Sequence, residues 1–227
     1  MKIVVAIASH DREKPLSLVL RCMPAAWHAV LVLTTGEDPA PYLKRPNTHV
    51  YHHANSPLGA KWQHAVNMAR THAPDLLIID GSDDVLLGNT AKLVATMEDT
   101  DMLGFMGFEA FDGANHYWLR YKPHVKMPIG GGRVYTRALL DRMRWRLFDV
   151  HREKWLDEYG YANARRVGDG KGGPARIKLV DRAPGLQVVA LKGDWPQKNS
   201  MAKYLRGKNI DVTPLDGVKH SVYYNWL

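Results

Sequence analysis

Three short runs of apolar, largely β-branched residues constrain this chain most: KIVVAIA at 2–8, HAVLVLTT at 28–35 and DLLIID at 75–80. None shows the polar alternation of a half-exposed strand, and each is too short for a buried helix, so they read as strands covered on both faces. THVYHH (48–53) is a weaker strand candidate. The segments between them carry helical patterns. After the first run SHDR breaks the strand, and Pro15 stands where a helix can begin. In NSPLGAKWQHAVNMARTHAP (55–74), Ser56 suits a cap and Pro57 the first helical position. Trp62, Ala65, Val66 and Ala69 follow at helical spacing, and Pro74 ends the helix. The order β-α-β-β-α-β predicts an α/β fold, a mostly parallel central sheet flanked by helices with a Rossmann-like N-terminal half.

The second half is less regular. DMLGFMGFEAF and NHYWLRYK are expected to pair as strands around DGA. PIGGGRVYTRALLDRM reads as a glycine-rich turn entering a helix capped by Thr136, with Leu139, Leu140 and Met143 as its apolar stripe. Residues 153–166 read as another helix, and VGDGKGGPARIK (167–178) as a surface loop. With 227 residues the expectation is a single domain, 1–132 forming one half and 133–227 the other. No apolar run reaches the roughly 20 residues of a membrane helix. The start MKIVVAIASHDREK turns charged too early for a signal peptide. The single cysteine, Cys22, allows no internal disulfide and no cysteine-based zinc cluster. A cytoplasmic protein is expected.

The first strand group ends in a run of acids. LLIIDGSDDVL (76–86) passes from four apolar residues into Asp80, Asp83 and Asp84. A plain turn would use the same residue types. In open α/β sheets, however, ligands bind beyond the carboxyl ends of the strands, where Ser9 to Arg12 and Asp80 to Asp84 both fall. Hard divalent cations take oxygen ligands, and Mg²⁺ sites combine one or two carboxylates with substrate phosphates. The chain has no GxxxxGK[ST], HExxH or GxSxG, and GDGKGG (168–173) lacks the spacing of a phosphate loop.

Taken in order, AIASHDR, NSPLGAKWQHAVNMAR, LLIIDGSDDVL and GGGRVYTRALL resemble the GT-A-fold glycosyltransferases, particularly the large family two, over about residues 1–165. The phage enzymes that glycosylate 5-hydroxymethylpyrimidines in DNA are a group of similar appearance. One departure stands out: the family writes Asp-X-Asp-Asp, whereas an extra residue separates Asp80 from Asp83 here. The related sugar nucleotidylyltransferases open with a glycine-rich loop after strand one, and SHDREKP has no glycine.

The resemblance implies a nucleotide-sugar donor, usually a UDP-sugar, bound with Mn²⁺ or Mg²⁺. It implies Ser9, Asp11, Arg12, Lys61 and Asp80 on the donor side, and Asp83 as metal ligand with Asp84 and Asp80 assisting. An inverting enzyme further needs a carboxylate base, for which Asp157 and Glu158 fit the expected location and Asp149 less well. His220 is a candidate late metal ligand, although a lone histidine is ordinarily a surface residue. Trp118 and Trp195 are candidates for stacking on a sugar or base, and Arg133 and Arg137 for the acceptor side.

Charge divides the chain where the resemblance divides donor from acceptor. Residues 1–132 carry 12 Lys and Arg against 13 Asp and Glu, whereas 133–182 carry 13 against 7 and 183–227 carry 6 against 3. The acceptor expected from that excess is a polyanion, and nucleic acid is the simplest one. The alternatives are a surface or lipid-linked glycan, for which RALLDRMRWRLF (137–148) offers a basic amphipathic stretch, and, from another class, a metal-dependent nuclease or a non-catalytic nucleic-acid binder. The oligomeric state is open.

Overall fold

A computed structural model describes residues 1–111, 115–122, 124–154, 156–170, 172–182, 185–191 and 209–215. The first strands form where the apolar runs fall. β1 (Ile3–Ala8), β2 (His28–Thr34), β3 (Thr48–His53) and β4 (Leu76–Ile79) pair in parallel in the order β3-β2-β1-β4. Side chains alternate across a strand, so β1 sends Ile3, Val5 and Ile7 into one core and Val4 and Ala6 into the other. Both cores are closed, which is why these strands show no polar alternation.

Beyond β4 the sheet gains β6 (Met102–Phe105), β9 (Arg133–Thr136) and β10 (Ile177–Val180), giving β10-β6-β9-β4-β1-β2-β3. β9 runs antiparallel to β4 and β6, and β10 runs parallel to β6. A second sheet, β12-β8-β7-β11-β5, contains β5 (Asp84–Leu87), β7 (Gly107–Phe111), β8 (His116–Tyr121), β11 (Gln187–Leu191) and β12 (Ile210–Pro214). One core joins the main sheet to this second sheet, to α1 (Glu13–Cys22) and to Tyr42 of the short α2 (Ala40–Leu43). The other core packs α3 (Leu58–Thr71), α5 (Arg137–Arg142) and α6 (Leu156–Val167) on the opposite face. α4 (Thr90–Met97) is capped by Asn89, whose side chain accepts from the Lys92 amide at 2.9 Å.

Several local expectations change. The 102–111 segment is two strands in different sheets, divided at Met106; β7 alone pairs with β8, antiparallel as expected. The glycine turn leads into β9 before α5, whose Thr136 cap accepts from the Leu139 amide at 3.3 Å. The 167–178 loop is shorter, because β10 starts at Ile177. Pro57 is the cap residue of α3 rather than its first helical residue, and Ser56 donates to Glu153 instead of capping. The amphipathic 137–148 stretch turns Leu139, Leu140, Met143, Trp145, Leu147 and Phe148 into the core, which withdraws them from any membrane surface. No helix among the described residues is long and apolar enough to cross a membrane.

Candidate active site

The order β3-β2-β1-β4 places a topological switch between β1 and β4, since successive strands are added to one side of β1 and then to the other. At this switch β1 releases the chain at Ser9. The Ser9 amide donates to the Val32 carbonyl at 3.0 Å, and its own carbonyl accepts from the Lys61 ammonium. The buried Ser9 hydroxyl has no hydrogen-bond partner among the described residues. Lys61 enters from the first turn of α3 and is wholly buried, donating also to Thr34 Oγ1 at 2.7 Å and Asn55 Oδ1 at 3.2 Å. Burial pushes its pKa down to about 8, opposed by the charges of Glu37 and Asp11.

At the rim, Glu37 accepts from the amides of Thr34 at 3.0 Å and Asp11 at 3.3 Å. His10 Nδ1 lies 2.9 Å from Thr34 Oγ1. Arg12, just before α1, reaches the carboxylate turn, its Nη1 standing 2.8 Å from Asp83 Oδ2.

The three aspartates of that turn do different things. Asp80 is buried and ties the crossing between sheets, accepting from the amides of Gly81 at 3.2 Å, Leu86 at 3.1 Å and Gly132 at 3.2 Å. Burial first, and the charge of Asp84 second, raise its pKa well above the usual carboxylate range, while the three amides counteract. The extra residue between Asp80 and Asp83 therefore separates a carboxylate turned onto backbone from Asp83, which is also buried, and the half-buried Asp84. Asp83 pairs with Arg12. Asp84, half-buried, opens β5 and lies against Gly131, where an added Cβ would come within 2.8 Å of its Oδ2.

A fourth carboxylate comes from α6. Asp157 lies against Gly130, where a Cβ would come within 2.8 Å of its Oδ2. It is fixed by Arg133, which is 1% exposed. The guanidinium donates from Nη2 to Asp157 Oδ1 at 2.9 Å, from Nη1 to the Asp157 carbonyl at 3.1 Å and from Nε to the Gly130 carbonyl at 3.0 Å. Asp84 and Asp157 thus flank two consecutive glycines, with no side chain between them on that strip of backbone. The segment delivering α6 is clamped to α3. Gln63 donates to the Trp145 carbonyl at 2.7 Å and accepts from the amides of Leu147 and Phe148. The Gly59 amide donates to the Arg152 carbonyl at 2.8 Å, and a side chain at Gly59 would collide with the Asp149 carbonyl.

Of the residues singled out from sequence, the structure gathers Ser9, Asp11, Arg12, Lys61, Asp80, Asp83 and Asp84 around the switch, with Asp157 alongside. Glu158 is exposed on α6. Asp149 pairs with Arg152 at 3.2 Å. Arg133 is too buried to meet an acceptor itself. Arg137 sits at the other end of β4, its amide bonded to the Asp75 carbonyl and its side chain facing Asp141 at 3.9 Å. Trp118 packs against Gly107 on the second sheet, with the Arg182 guanidinium 4.0 Å from its ring centroid. His220 and Trp195 lie outside the described residues. Thr34, Glu37 and Gln63 were not anticipated. A lysine four residues before Ala65, on the buried stripe of α3, is the signal that Lys61 points inward.

For a hard divalent cation the turn offers oxygen donors from Asp83 and Asp84, and a cation there would offset the charge by which Asp84 raises Asp80. The donor set fits Mn²⁺ or Mg²⁺ as a site completed by ligand phosphates. Among the described residues the three-ligand clusters are His10–Asp11–Glu37, on this rim, and His28–His49–His72, elsewhere.

The sequence matches no protein-family profile and no curated protein. Among solved structures, it is similar to A197 from STIV, with a TM-score of 0.50 and 13% identity over 83% of this chain and 84% of that one. It is also similar to HddC from Yersinia pseudotuberculosis, with a TM-score of 0.48 and 13% identity over 84% and 93% of the two chains. A third similarity is to 4-diphosphocytidyl-2C-methyl-D-erythritol synthase, with a TM-score of 0.46 and 11% identity over 81% and 89%. At such identities the likeness to A197 concerns the fold alone, which is mixed α/β and Rossmann-like.

Proposed function

We propose that this chain is a metal-dependent glycosyltransferase that moves a sugar from a nucleotide-sugar donor, a UDP-sugar in the first instance, to an acceptor hydroxyl. The observation that carries this reading is the pair of carboxylates, Asp84 and Asp157, flanking Gly130 and Gly131 beside the β1–β4 switch. In this reading residues 1–132 hold the donor and the basic remainder meets the acceptor. Ser9, whose buried hydroxyl has no partner among the described residues, Asp11 and Arg12 line the nucleoside side. Asp83 and Asp84 would hold Mn²⁺ or Mg²⁺, which supplies Lewis-acid neutralisation of the diphosphate leaving group. Lys61 supports the Ser9 backbone from beneath.

Asp157 then takes the proton of the acceptor hydroxyl as that oxygen attacks the anomeric carbon. The bond from that carbon to the diphosphate oxygen breaks with inversion, and the nucleoside diphosphate leaves with the electron pair. Arg133 keeps the carboxylate of Asp157 aimed through the bond from its Nη2 to Oδ1.

The acceptor favoured is 5-hydroxymethylcytosine or 5-hydroxymethyluracil in DNA. Its support is the positive balance of residues 133–227. The glycan alternative loses its amphipathic stretch, whose apolar side chains are in the core. Hydroxymethylated DNA incubated with the protein, Mn²⁺ and a panel of nucleotide sugars, then digested to nucleosides, should yield a hydroxymethylated nucleoside heavier by one sugar. Nucleotide release with no heavier nucleoside would keep the transferase and discard DNA. Backbone cleavage with metal alone would instead identify a nuclease.

A further inference from the structure

At the opposite pole of the main sheet, three histidines converge that the proposed reaction does not use. His28 opens β2, His49 lies on the neighbouring β3, and His72 is the C-cap of α3. β2 separates them from Thr34 and the candidate active site by about 20 Å of strand. One ring nitrogen from each lies within 4.8 Å of the others. The rings of His49 and His72 have centroids 4.0 Å apart, and His28 stands 5.8 Å from His49 and 6.1 Å from His72. His28 Nδ1 and His49 Nε2 are buried with no hydrogen-bond partner among the described residues. Buried imidazole nitrogens are ordinarily satisfied, so two such atoms in one cluster point to a missing partner. Tyr51 Oη is 3.4 Å from His72 Nε2, on the side of the third ring.

We infer that His28, His49 and His72 form a binding site for a borderline transition-metal ion, Zn²⁺ in the first instance. Imidazole nitrogen is the preferred protein ligand of such ions, and three histidines with a fourth position for water make a known ligand set. Nitrogens sharing a tetrahedral zinc at roughly 2.0–2.1 Å stand about 3.3 Å apart, so the rings need only a modest inward rotation. The ion would tie the start of β2 to β3 and to the end of α3. This site is chemically unlike the carboxylate turn, which suits harder cations.

The test is titration of the full chain, stripped with a chelator, with Co²⁺ followed by visible absorption and with Zn²⁺ followed by calorimetry. Wild type should take up one Zn²⁺ that survives excess Mg²⁺, show Co²⁺ ligand-field bands, and gain on the order of 5–10 °C in Tm at a hundredfold excess over Kd. H28Q and H72Q should each lose the bands and the Tm gain, whereas D84N and H10Q should retain them. Absence of tight Zn²⁺ uptake by wild type, which needs no variant to interpret, would overturn the inference. So would bands that persist in both H28Q and H72Q, or that vanish in H10Q.

Discussion

Arg133, 1% exposed, donates from Nη2 to Asp157 Oδ1 at 2.9 Å and joins β9 to the first turn of α6 through that bond. The same guanidinium also holds the carbonyls of Gly130 and Asp157, so one side chain fixes the glycine turn and the proposed base together. Lysine keeps the charge but not the planar fork. Arg133→Lys should therefore lower kcat by about 10²-fold with a much smaller change in KM. Arg133→Met leaves those acceptors unsatisfied and should also cost about 1–3 kcal/mol of stability, read by urea unfolding. Wild-type kcat in Arg133→Lys would remove Asp157 from the reaction.

Gly130 and Gly131 test the carboxylates without touching them. Neither needs a positive φ, and the atoms an added methyl would press on belong to the side chains of Asp157 and Asp84 respectively. Gly130→Ala and Gly131→Ala should each fold and lose about 10²-fold in kcat/KM, because a displacement near 1 Å is enough at a reacting centre. Full activity in both, with circular dichroism like wild type, would show that the strip between the carboxylates is not where the substrates meet.

Asp83 and Asp84 separate on stability. Asp83→Ala leaves the Arg12 guanidinium without its 2.8 Å partner, so activity loss there comes with about 1–3 kcal/mol of destabilisation. Asp84→Asn keeps shape and volume and should lower transfer by about 10³-fold or more with little change in Tm.

Lys61 sets a pH dependence of stability. Its folded pKa of about 8 lies below the roughly 10.4 of an unfolded lysine, so between these values the unfolded chain binds the extra proton. Stability should then rise with pH through that window, by up to about 3 kcal/mol from this group. Lys61→Met should flatten the rise relative to wild type when urea unfolding is compared at pH 7.5 and 10. An identical pH profile in both proteins would contradict the buried ammonium.

The strands around the switch were legible because β1, β2 and β4 are covered on both faces, and that burial leaves an uninterrupted apolar run in the sequence. The carboxylate turn was legible by its position at a strand end. What the sequence did not disclose depends on pairings distant along the chain. Gln63 satisfies backbone more than 80 residues away, and Arg133 reaches a carboxylate 24 residues on. In both cases a polar side chain is buried because its partners come from another element. The division of 102–111 at Met106 was equally hidden, since both halves are buried and, Glu109 apart, apolar, and only the partner strands differ.

Calorimetric binding of UDP and UDP-sugars to wild type and to Asp84→Asn, with and without Mn²⁺, tests whether a metal holds the diphosphate at this turn. Wild type should bind only with Mn²⁺, lose that binding with chelator, and bind at least tenfold more tightly than Asp84→Asn. Binding that ignores the metal, or that is unchanged in Asp84→Asn, would contradict a metal-held diphosphate at this turn.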